Sequence, residues 1–301
     1  MSLRPTESYP NSQGEAAGRL YLVGTPIGNL EDITLRALRI LKEVDLIACE
    51  DTRQTRKLLN RYEIRKPTLS YHEHNELTRA SELVGKLEEG ARIALVSDAG
   101  MPLISDPGYR LVSLAIRHHV PVVPIPGASS FAAALAASGL PIERFAFQGF
   151  LPARRSARQK ALEQMRSLSN ALIFYEAPHR LRETLEGIRD TLGDRQAVVA
   201  REITKVHEEF LRGRISLILE HLESRSLKGE MTLIIGPPDE QSVPARQISP
   251  ADEVAQVMKE KGGGEKEAMK VVARIRGLSR SEVYRQWQRR KSGHAGVPEE
   301  G

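Results

Sequence analysis

Three loops rich in glycine and proline are the segments of this chain best suited to hold a ligand. They span residues 24–30, 97–108 and 124–130, and each follows a short apolar run that predicts a β-strand. Open α/β sheets bind their ligands at the carboxyl ends of the strands, and glycine lets a ligand approach the backbone closely. We therefore expect the three loops to converge on one cleft.

The glycine spacing excludes two common phosphate sites. Gly24 and Gly28 do not fit the G-x-G-x-x-G pattern of a dinucleotide site, and Pro26 removes an N–H group that a pyrophosphate would need. The chain also lacks a G-x-x-x-x-G-K-[ST] phosphate loop. The strongest candidate is the loop 97–108, because two aspartates, two glycines and two prolines exceed what a simple connection requires.

Many side chains qualify as a general base or as a group that orients the nucleophile by a strong hydrogen bond, and the residues alone do not choose among them. Each lies in a polar motif that a salt bridge or a helix cap explains equally well. A His-x-His pair without a third clustered ligand is a weak metal signal, so we expect no metal site. The candidates are Glu50, Asp51, Arg53, His72, Glu73, His74, Glu76, Glu176, His179, Arg180, Glu202 and Lys205.

Positive charge is concentrated in two segments. The net charge is +5, yet residues 274–291 alone contain seven arginines and lysines against one glutamate. A second cluster follows a Gly-Phe-Leu-Pro turn and consists of Arg154, Arg155, Arg158 and Lys160. Both segments can bind phosphates, and both are also compatible with solvated helix faces.

Apolar runs alternate with segments of helical period from residue 19 onward, which predicts an α/β fold with two domains, residues 19–127 and 128–238. The predicted strands are 20–24, 46–49, 68–71, 93–97, 120–123, 145–150, 171–175, 197–201, 208–211 and 231–235. The predicted helices are 34–42, 53–62, 76–89, 109–118, 129–138, 156–168, 179–192 and 214–223.

The remaining segments predict a small helical module and flexible ends. Residues 239–248 are predicted to form a linker and residues 249–291 a basic helical module. Ser249, Gly277 and Ser279 are its predicted helix caps. Residues 1–18 and 292–301 are expected to be disordered tails. We expect no membrane span or secretory signal, and one cysteine, Cys49, fits a reducing cytoplasm.

Eight motifs, in this order, resemble the ribosomal RNA methyltransferases of the tetrapyrrole methylase superfamily, which have the class III S-adenosylmethionine-dependent fold. The resemblance covers about residues 20–236 and continues weakly through 278–284. Gly24, Met101 and Ala177 depart from the residues usual in the family, which are Ala, Thr and Ser. The motifs are TPIGNLEDITLRAL, CEDTRQTRKLL, YHEHNE, ALVSDAGMPLISDPG, PGASS, FQGFLP, FYEAPHR and REITKVHEEF.

The resemblance implies S-adenosylmethionine bound between two α/β domains. It also implies that the methyl acceptor is the ribose 2′-hydroxyl of a cytidine in the decoding region of 16S rRNA, within the 30S subunit, and that the protein is a homodimer. Carried over by position, the expected cofactor-binding residues are Pro26, Asp98, Ala99, Gly100, Met101, Pro102, Ile104, Ser105, Asp106, Ser129 and Ala177. We assign Asp51, His74 and Lys205 to catalysis, and Arg53, Arg154, Arg155, Arg158 and Arg180 to substrate binding.

Two other functions remain open at this stage. A porphyrinoid methyltransferase of the same superfamily would use the cleft but not the basic tail. A non-enzymatic RNA-binding regulator would use the tail but not the three loops.

Overall fold

The computed structural model describes residues 18–223, 225, 227–239, 249–261, 264–276 and 278–293. The chain forms two compact units, residues 1–237 and 238–301. The expected N-terminal tail up to residue 17, linker residues 240–248, the proposed cap at Gly277 and the last eight residues lie outside the described residues. The division of the first unit at residues 127 and 128 stays a prediction.

The first sheet is entirely parallel and has the strand order β3-β2-β4-β1-β5. Alternate residues of β4 enter different cores: Ile93 and Leu95 pack with α3 and α4, whereas Ala94 and Val96 pack with α1 and α2. Its strands are β1 (Arg19–Val23), β2 (Leu46–Cys49), β3 (Thr68–Ser70), β4 (Arg92–Val96) and β5 (Val122–Ile125). Its helices are α1 (Leu35–Glu43), α2 (Thr52–Arg61), α3 (Glu76–Glu88) and α4 (Tyr109–Arg117).

The fifth strand begins two residues later than the sequence predicts. The N–H group of Val120 still bonds the carbonyl of Ala115 at 2.9 Å, so this residue closes α4. Pro121 has no N–H group to donate to a sheet. The ladder with β1 therefore starts at Val122.

The second sheet is mixed and has the order β6-β7-β10-β8-β9, with β6 parallel to β7 and the other neighbours antiparallel. The connection 202–208 is too short for a crossover helix, so β8 and β9 pair as a hairpin. The strands are β6 (Phe145–Phe150), β7 (Ala171–Glu176), β8 (Gln196–Arg201), β9 (Glu209–Arg214) and β10 (Met231–Ile235). The helices are α5 (Ser130–Ala136), α6 (Arg155–Gln164), α7 (Leu181–Leu192) and α8 (Ile215–His221).

The strand directions bring several ends of the second sheet to one edge. The carboxyl ends of β6, β7 and β8 lie there, together with the amino end of β10, which runs the opposite way. Ile27, from the first glycine loop, packs among residues of this sheet and of α5. This contact ties the first sheet to the edge of the second.

The described part of the C-terminal unit contains three helices, α9 (Pro250–Lys261), α10 (Glu265–Arg276) and α11 (Arg280–Gly293). Its core includes Val254, Val272 and Val283 with Trp287. The predicted cap residue Ser249 accepts a bond from the Asp252 N–H at 3.1 Å, and Ser279 accepts one from Glu282 at 3.3 Å. Within the described residues, no helix has both the length and the apolar character needed to cross a membrane.

Candidate active site

The structure brings the three predicted loops together at the carboxyl edge of the first sheet. Thr25 and Gly100 exchange backbone hydrogen bonds of 2.9 and 3.1 Å, which joins the first loop to the second. Gly24 meets the third loop so closely that a Cβ atom at this position would lie 2.7 Å from the Cα of Gly127. The same Cβ would lie 2.7 Å from the sulfur of Met101, so two departures from the family pattern are neighbours in space.

A cavity of about 360 Å³ lies between these loops and the edge of the second sheet. We call it the intersheet cavity. Its walls are mainly apolar, and its size is within the range of small-molecule sites. The first sheet's loops and α5 contribute Ile27, Ala99, Gly100, Met101, Ile104, Ser105, Asp106, Ser129 and Ser130. The second sheet contributes Phe150, Tyr175, Glu176, Ala177, Pro178, Ala200, Ile203, Gly229, Glu230, Met231 and Thr232.

Most of the residues expected to bind the cofactor line this cavity. They are Ala99, Gly100, Met101, Ile104, Ser105, Asp106, Ser129 and Ala177. Pro26 and Asp98 instead line a neighbouring cavity. Pro102 is buried, and it is not among the described residues that line either cavity.

Sequence reasoning missed much of the wall that the second sheet provides. The hydroxyl of Ser130 donates to that of Tyr175 at 3.0 Å, and the ring of Phe150 packs against Tyr175. Phe150 lies in the motif FQGFLP and Tyr175 in the motif FYEAPHR, so these motifs could have indicated both residues as part of the site. No motif marked Glu230, Met231 and Thr232, because their position depends on β10 running antiparallel between β7 and β8.

The neighbouring cavity, of about 400 Å³, is more polar. We call it the lateral cavity. Ile27, Ala99 and Glu230 line both cavities, so these residues mark the junction between them. The other lining residues of the lateral cavity are Thr25, Pro26, Gly28, Leu30, Gln54, Thr55, Lys57, Leu58, Ser97, Asp98 and Lys205.

Lys205 is a restrained cation at this junction. Its Nζ donates to Glu202 at 2.9 Å and to Glu230 at 3.0 Å. Its stem packs on the first loop, where a Cβ atom at Gly28 would lie 2.5 Å from the Cγ of Lys205. Partial burial acts to lower the pKa of Lys205, but the two carboxylates together outweigh this effect and raise that pKa. Lys205 is therefore an ammonium group at neutral pH and not a proton acceptor.

The other two predicted catalytic residues, Asp51 and His74, line neither cavity among the described residues. Asp51 caps α2 and receives three hydrogen bonds from the Arg53 side chain, which together with the backbone N–H of Arg53 lower the pKa of Asp51 to about 2. Such a carboxylate is a weak base. His74 is exposed in a turn. The structure gives Asp51 a capping role, and the assignment of Asp51 and His74 to catalysis stays a prediction.

Two aspartates of the second loop have raised pKa values. Burial is the main cause for both Asp98 and Asp106, and the negative charge of Asp98 adds to the shift of Asp106. Burial and the same two charges also raise the pKa of Glu50. A cationic ligand in the adjoining cavity would relieve this repulsion. No group of three His, Cys, Asp or Glu side chains in the described chain is arranged to hold a metal ion.

The arginines predicted to bind substrate divide into two sets. Arg158 is buried and bonded to the carbonyl of Ala153 at 3.1 Å and to Glu183 at 2.5 Å. Arg180 donates to the carbonyl of Leu151 at 2.6 Å. These donors hold the loop before α6, and the assignment of Arg158 and Arg180 to substrate binding stays a prediction. Arg53, Arg154 and Arg155 are exposed to solvent. Arg154 and Arg155 lie where the loop meets the beginning of α6.

Comparison with known proteins agrees with this architecture. Residues 19–218 match the family model "Tetrapyrrole (Corrin/Porphyrin) Methylases". The solved structure of diphthine synthase superposes with a TM-score of 0.58 at 16% identity, covering 72% of this chain and 89% of its own. That of uroporphyrin-III C-methyltransferase from Thermus thermophilus, complexed with S-adenyl homocysteine, gives 0.51 at 22% identity, covering 73% and 97%. The chain belongs to this family of methyltransferases, which confirms the α/β fold and the resemblance of its motifs.

Within the family, the chain is most informatively compared with two curated relatives, both named "Ribosomal RNA small subunit methyltransferase I". The relative from Halalkalibacterium halodurans is 48% identical over 94% of this chain and 98% of its own length. The relative from Thermotoga maritima is 49% identical over 72% of this chain and 98% of its own length.

Proposed function

We propose that this chain transfers a methyl group from S-adenosylmethionine to the ribose 2′-hydroxyl of a cytidine in the decoding region of 16S rRNA, acting on the 30S subunit in the cytoplasm. The observation that carries the proposal is the 48% identity to a small-subunit rRNA methyltransferase over nearly the whole chain. Solved porphyrinoid methyltransferases share the fold at 22% identity or less. This contrast favours RNA over a porphyrinoid acceptor.

The intersheet cavity fits the cofactor. When bound, S-adenosylmethionine supplies a methyl group on a positively charged sulfur. Gly100 has a φ of +82° and presents backbone to the cavity, where a side chain would take the ligand's space. Asp106 and Glu230 bring negative charge to a wall that is otherwise mainly apolar. Such a wall can bind an adenosyl group and orient a sulfonium without competing water.

The lateral cavity is the proposed acceptor site. In the transfer, the ribose oxygen forms a bond to the methyl carbon, the bond between carbon and sulfur breaks, and its electron pair stays on sulfur. The hydroxyl proton must pass to an acceptor. Glu230 lies at the junction of the two cavities, and its carboxylate can accept a hydrogen bond from the hydroxyl while Lys205 holds it in place.

Methylation mapping tests the function directly. Purified protein and S-adenosylmethionine are incubated with 30S subunits lacking the modification, with free 16S rRNA, and with uroporphyrinogen, and ribose methylation is mapped by primer extension. We expect one modified cytidine in the decoding region of the 30S sample. Methylation of uroporphyrinogen alone would support the porphyrinoid alternative, and an absence of S-adenosylmethionine binding in calorimetry would support the regulator.

The junction residues have a test of their own. Glu230→Gln and Lys205→Met are expected to lower kcat on 30S subunits at least tenfold while changing S-adenosylmethionine affinity only a few-fold. Lys42→Met is the matched control, because Lys42 is an exposed lysine of α1 that lines neither cavity among the described residues. Equal kcat values for all three variants would reject the assignment of the junction.

We also propose that the protein is a homodimer and that RNA contacts extend beyond the cavity. Large apolar side chains are exposed where three helices of the first sheet begin, at Leu35, Leu77 and Tyr109, which supports a protein-binding surface there. Light scattering coupled to gel filtration measures the oligomeric state.

The basic helical unit and the pair Arg154 and Arg155 are proposed to bind rRNA phosphates.

A further inference from the structure

Helix α2 carries four positive side chains, and Lys57 lines the proposed acceptor site while the other three lie outside its wall. Arg53, Lys57 and Arg61 are four residues apart, so they lie along one side of the helix, with Arg56 beside them. All four side chains are exposed. The segment 52–66 contains six arginines and lysines against one acidic residue. We call the four exposed cations of α2 the α2 stripe.

The same helix forms one wall of the lateral cavity. Gln54, Thr55 and Leu58 line that wall, and Lys57 belongs both to the wall and to the stripe. The stripe therefore passes the mouth of the cavity. From Arg53 to Arg61 it extends for about 12 Å along the helix axis.

Contacts at both ends of α2 fix the stripe relative to the cavity. At the beginning, the N–H of Asp51 donates to Asp98 at 3.1 Å, and the Asp51 carboxylate holds the Arg53 guanidinium at 2.7 Å. At the end, the hydroxyl of Tyr62 donates to the carbonyl of Leu30 at 2.6 Å. Asp98 and Leu30 both line the lateral cavity. These contacts fix the position of α2, from which the four cations extend, relative to the lateral cavity.

We propose that the α2 stripe binds consecutive phosphates of the RNA strand whose target nucleotide enters the lateral cavity. This inference rests on the proposed function. A row of cations on one side of a helix fits a polymer with regularly repeated anions. The polar pocket in the middle of the row fits one nucleoside displaced from the strand, which is how enzymes reach an atom of a nucleotide within structured nucleic acid. An acidic protein would use the row but would have no group for the pocket.

The first test is kinetic and uses Arg56→Ala combined with Arg61→Ala, since neither residue lines the intersheet cavity or the lateral cavity. We expect an unchanged affinity for S-adenosylmethionine, a KM for 30S subunits about tenfold higher, and a plot of log KM against log salt concentration that is shallower by about 1.5. The charge-matched control is Arg36→Ala with Lys42→Ala, two exposed cations of α1. Each double variant is checked for a wild-type melting temperature.

The second test locates the bound strand. Cys49 is buried, and burial raises the pKa of its thiol, so a cysteine introduced by Arg56→Cys can be labelled selectively with a photoactivatable crosslinker. We expect crosslinks to 16S rRNA close to the methylated nucleotide, and none there from Arg36→Cys. Crosslinks from position 56 to a ribosomal protein alone would overturn the proposal.

The outcomes separate this inference from the function on which it rests. If the wild-type protein does not methylate 30S subunits, the proposed function fails. If the wild type methylates them and the α2 double variant keeps the wild-type KM and salt dependence, the function stands and the α2 stripe is only a solvated helix face.

Discussion

Gly100 has a backbone conformation that favours glycine, and it also lies in the wall of the proposed cofactor site. Its φ of +82° is strained for any residue with a side chain, and it lines the intersheet cavity. We expect Gly100→Val to abolish S-adenosylmethionine binding in calorimetry, because the valine side chain would occupy the cavity. Strain alone should lower the free energy of unfolding by about 1–2 kcal/mol.

Gly139→Val separates the strain from the loss of space. Gly139 has a similar φ of +76°, and a Cβ atom there meets nothing within 4 Å. This variant should lose comparable stability and still bind the cofactor. If Gly100→Val binds S-adenosylmethionine as the wild type does, the cavity is not the cofactor site.

The carboxylate of Asp106 gives the site a pH dependence. Its pKa is raised from 3.8, so the folded protein holds this proton more tightly than the unfolded chain does. Its contribution to stability is therefore greatest below the unfolded pKa and is lost as pH rises through the raised value. A cationic cofactor prefers the ionised form, so affinity should weaken as pH falls from neutral toward the raised pKa of Asp106.

Calorimetric titrations of wild type and Asp106→Asn across this pH range measure the effect. We expect the variant to bind more weakly at neutral pH and with a smaller dependence on pH. An identical pH profile in the two proteins would show that Asp106 does not interact with the charge of the ligand.

At the scale of elements, the segment at the beginning of α6 contains exposed arginines and a buried one, and we expect different effects from their removal. Arg154→Ala with Arg155→Ala should weaken binding to 30S subunits and make its salt dependence shallower by about 1.5 in a log–log plot, with cofactor affinity within a few-fold of wild type. Filter binding at several salt concentrations measures this slope. An unchanged slope would mean that the two arginines are solvated surface residues.

Arg158→Ala, in the same cluster, should act on stability instead. Its removal leaves the carbonyls of Pro152 and Ala153 without this donor and leaves Glu183 without its partner. We expect a loss of about 2 kcal/mol in the free energy of unfolding. A stable Arg158→Ala protein with weakened RNA binding would support the assignment of this residue to substrate binding.

At the scale of the whole molecule, the helical unit has a core of its own, which predicts independent folding. Truncation after Pro244 should leave the melting temperature of the α/β unit and its S-adenosylmethionine affinity nearly intact, while lowering methylation of 30S subunits most strongly at higher salt. Aggregation of the truncated chain would instead show that the helices belong to the main fold.

The only tryptophan of the chain provides a second measurement of this independence. Trp287 is 7% exposed and lies in the core of the helical unit. Its fluorescence therefore reports the unfolding of that unit, whereas far-ultraviolet circular dichroism reports mainly the larger one. We expect the two melting curves to differ, and coincident curves would contradict independent folding.

The secondary-structure elements and the first half of the site follow from local patterns in the chain. Glycine loops after the parallel strands β1, β4 and β5 must meet, because the carboxyl ends of parallel strands share one edge. Gly24, Gly100 and Gly127 meet there. The motifs were also long enough to identify the family, since local patterns such as the loop 97–108 do not depend on distant parts of the chain.

The second half of the site and the contacts of its charged residues depend on how distant parts of the chain pack together. Glu230 reaches the junction because β10 runs antiparallel between β7 and β8, and strand order is not a local property. Arg158 and Arg155 share one segment, but α7 buries the first and leaves the second exposed. Residue type specifies which charge is present, whereas three-dimensional packing determines whether that charge meets a carboxylate, a carbonyl or solvent.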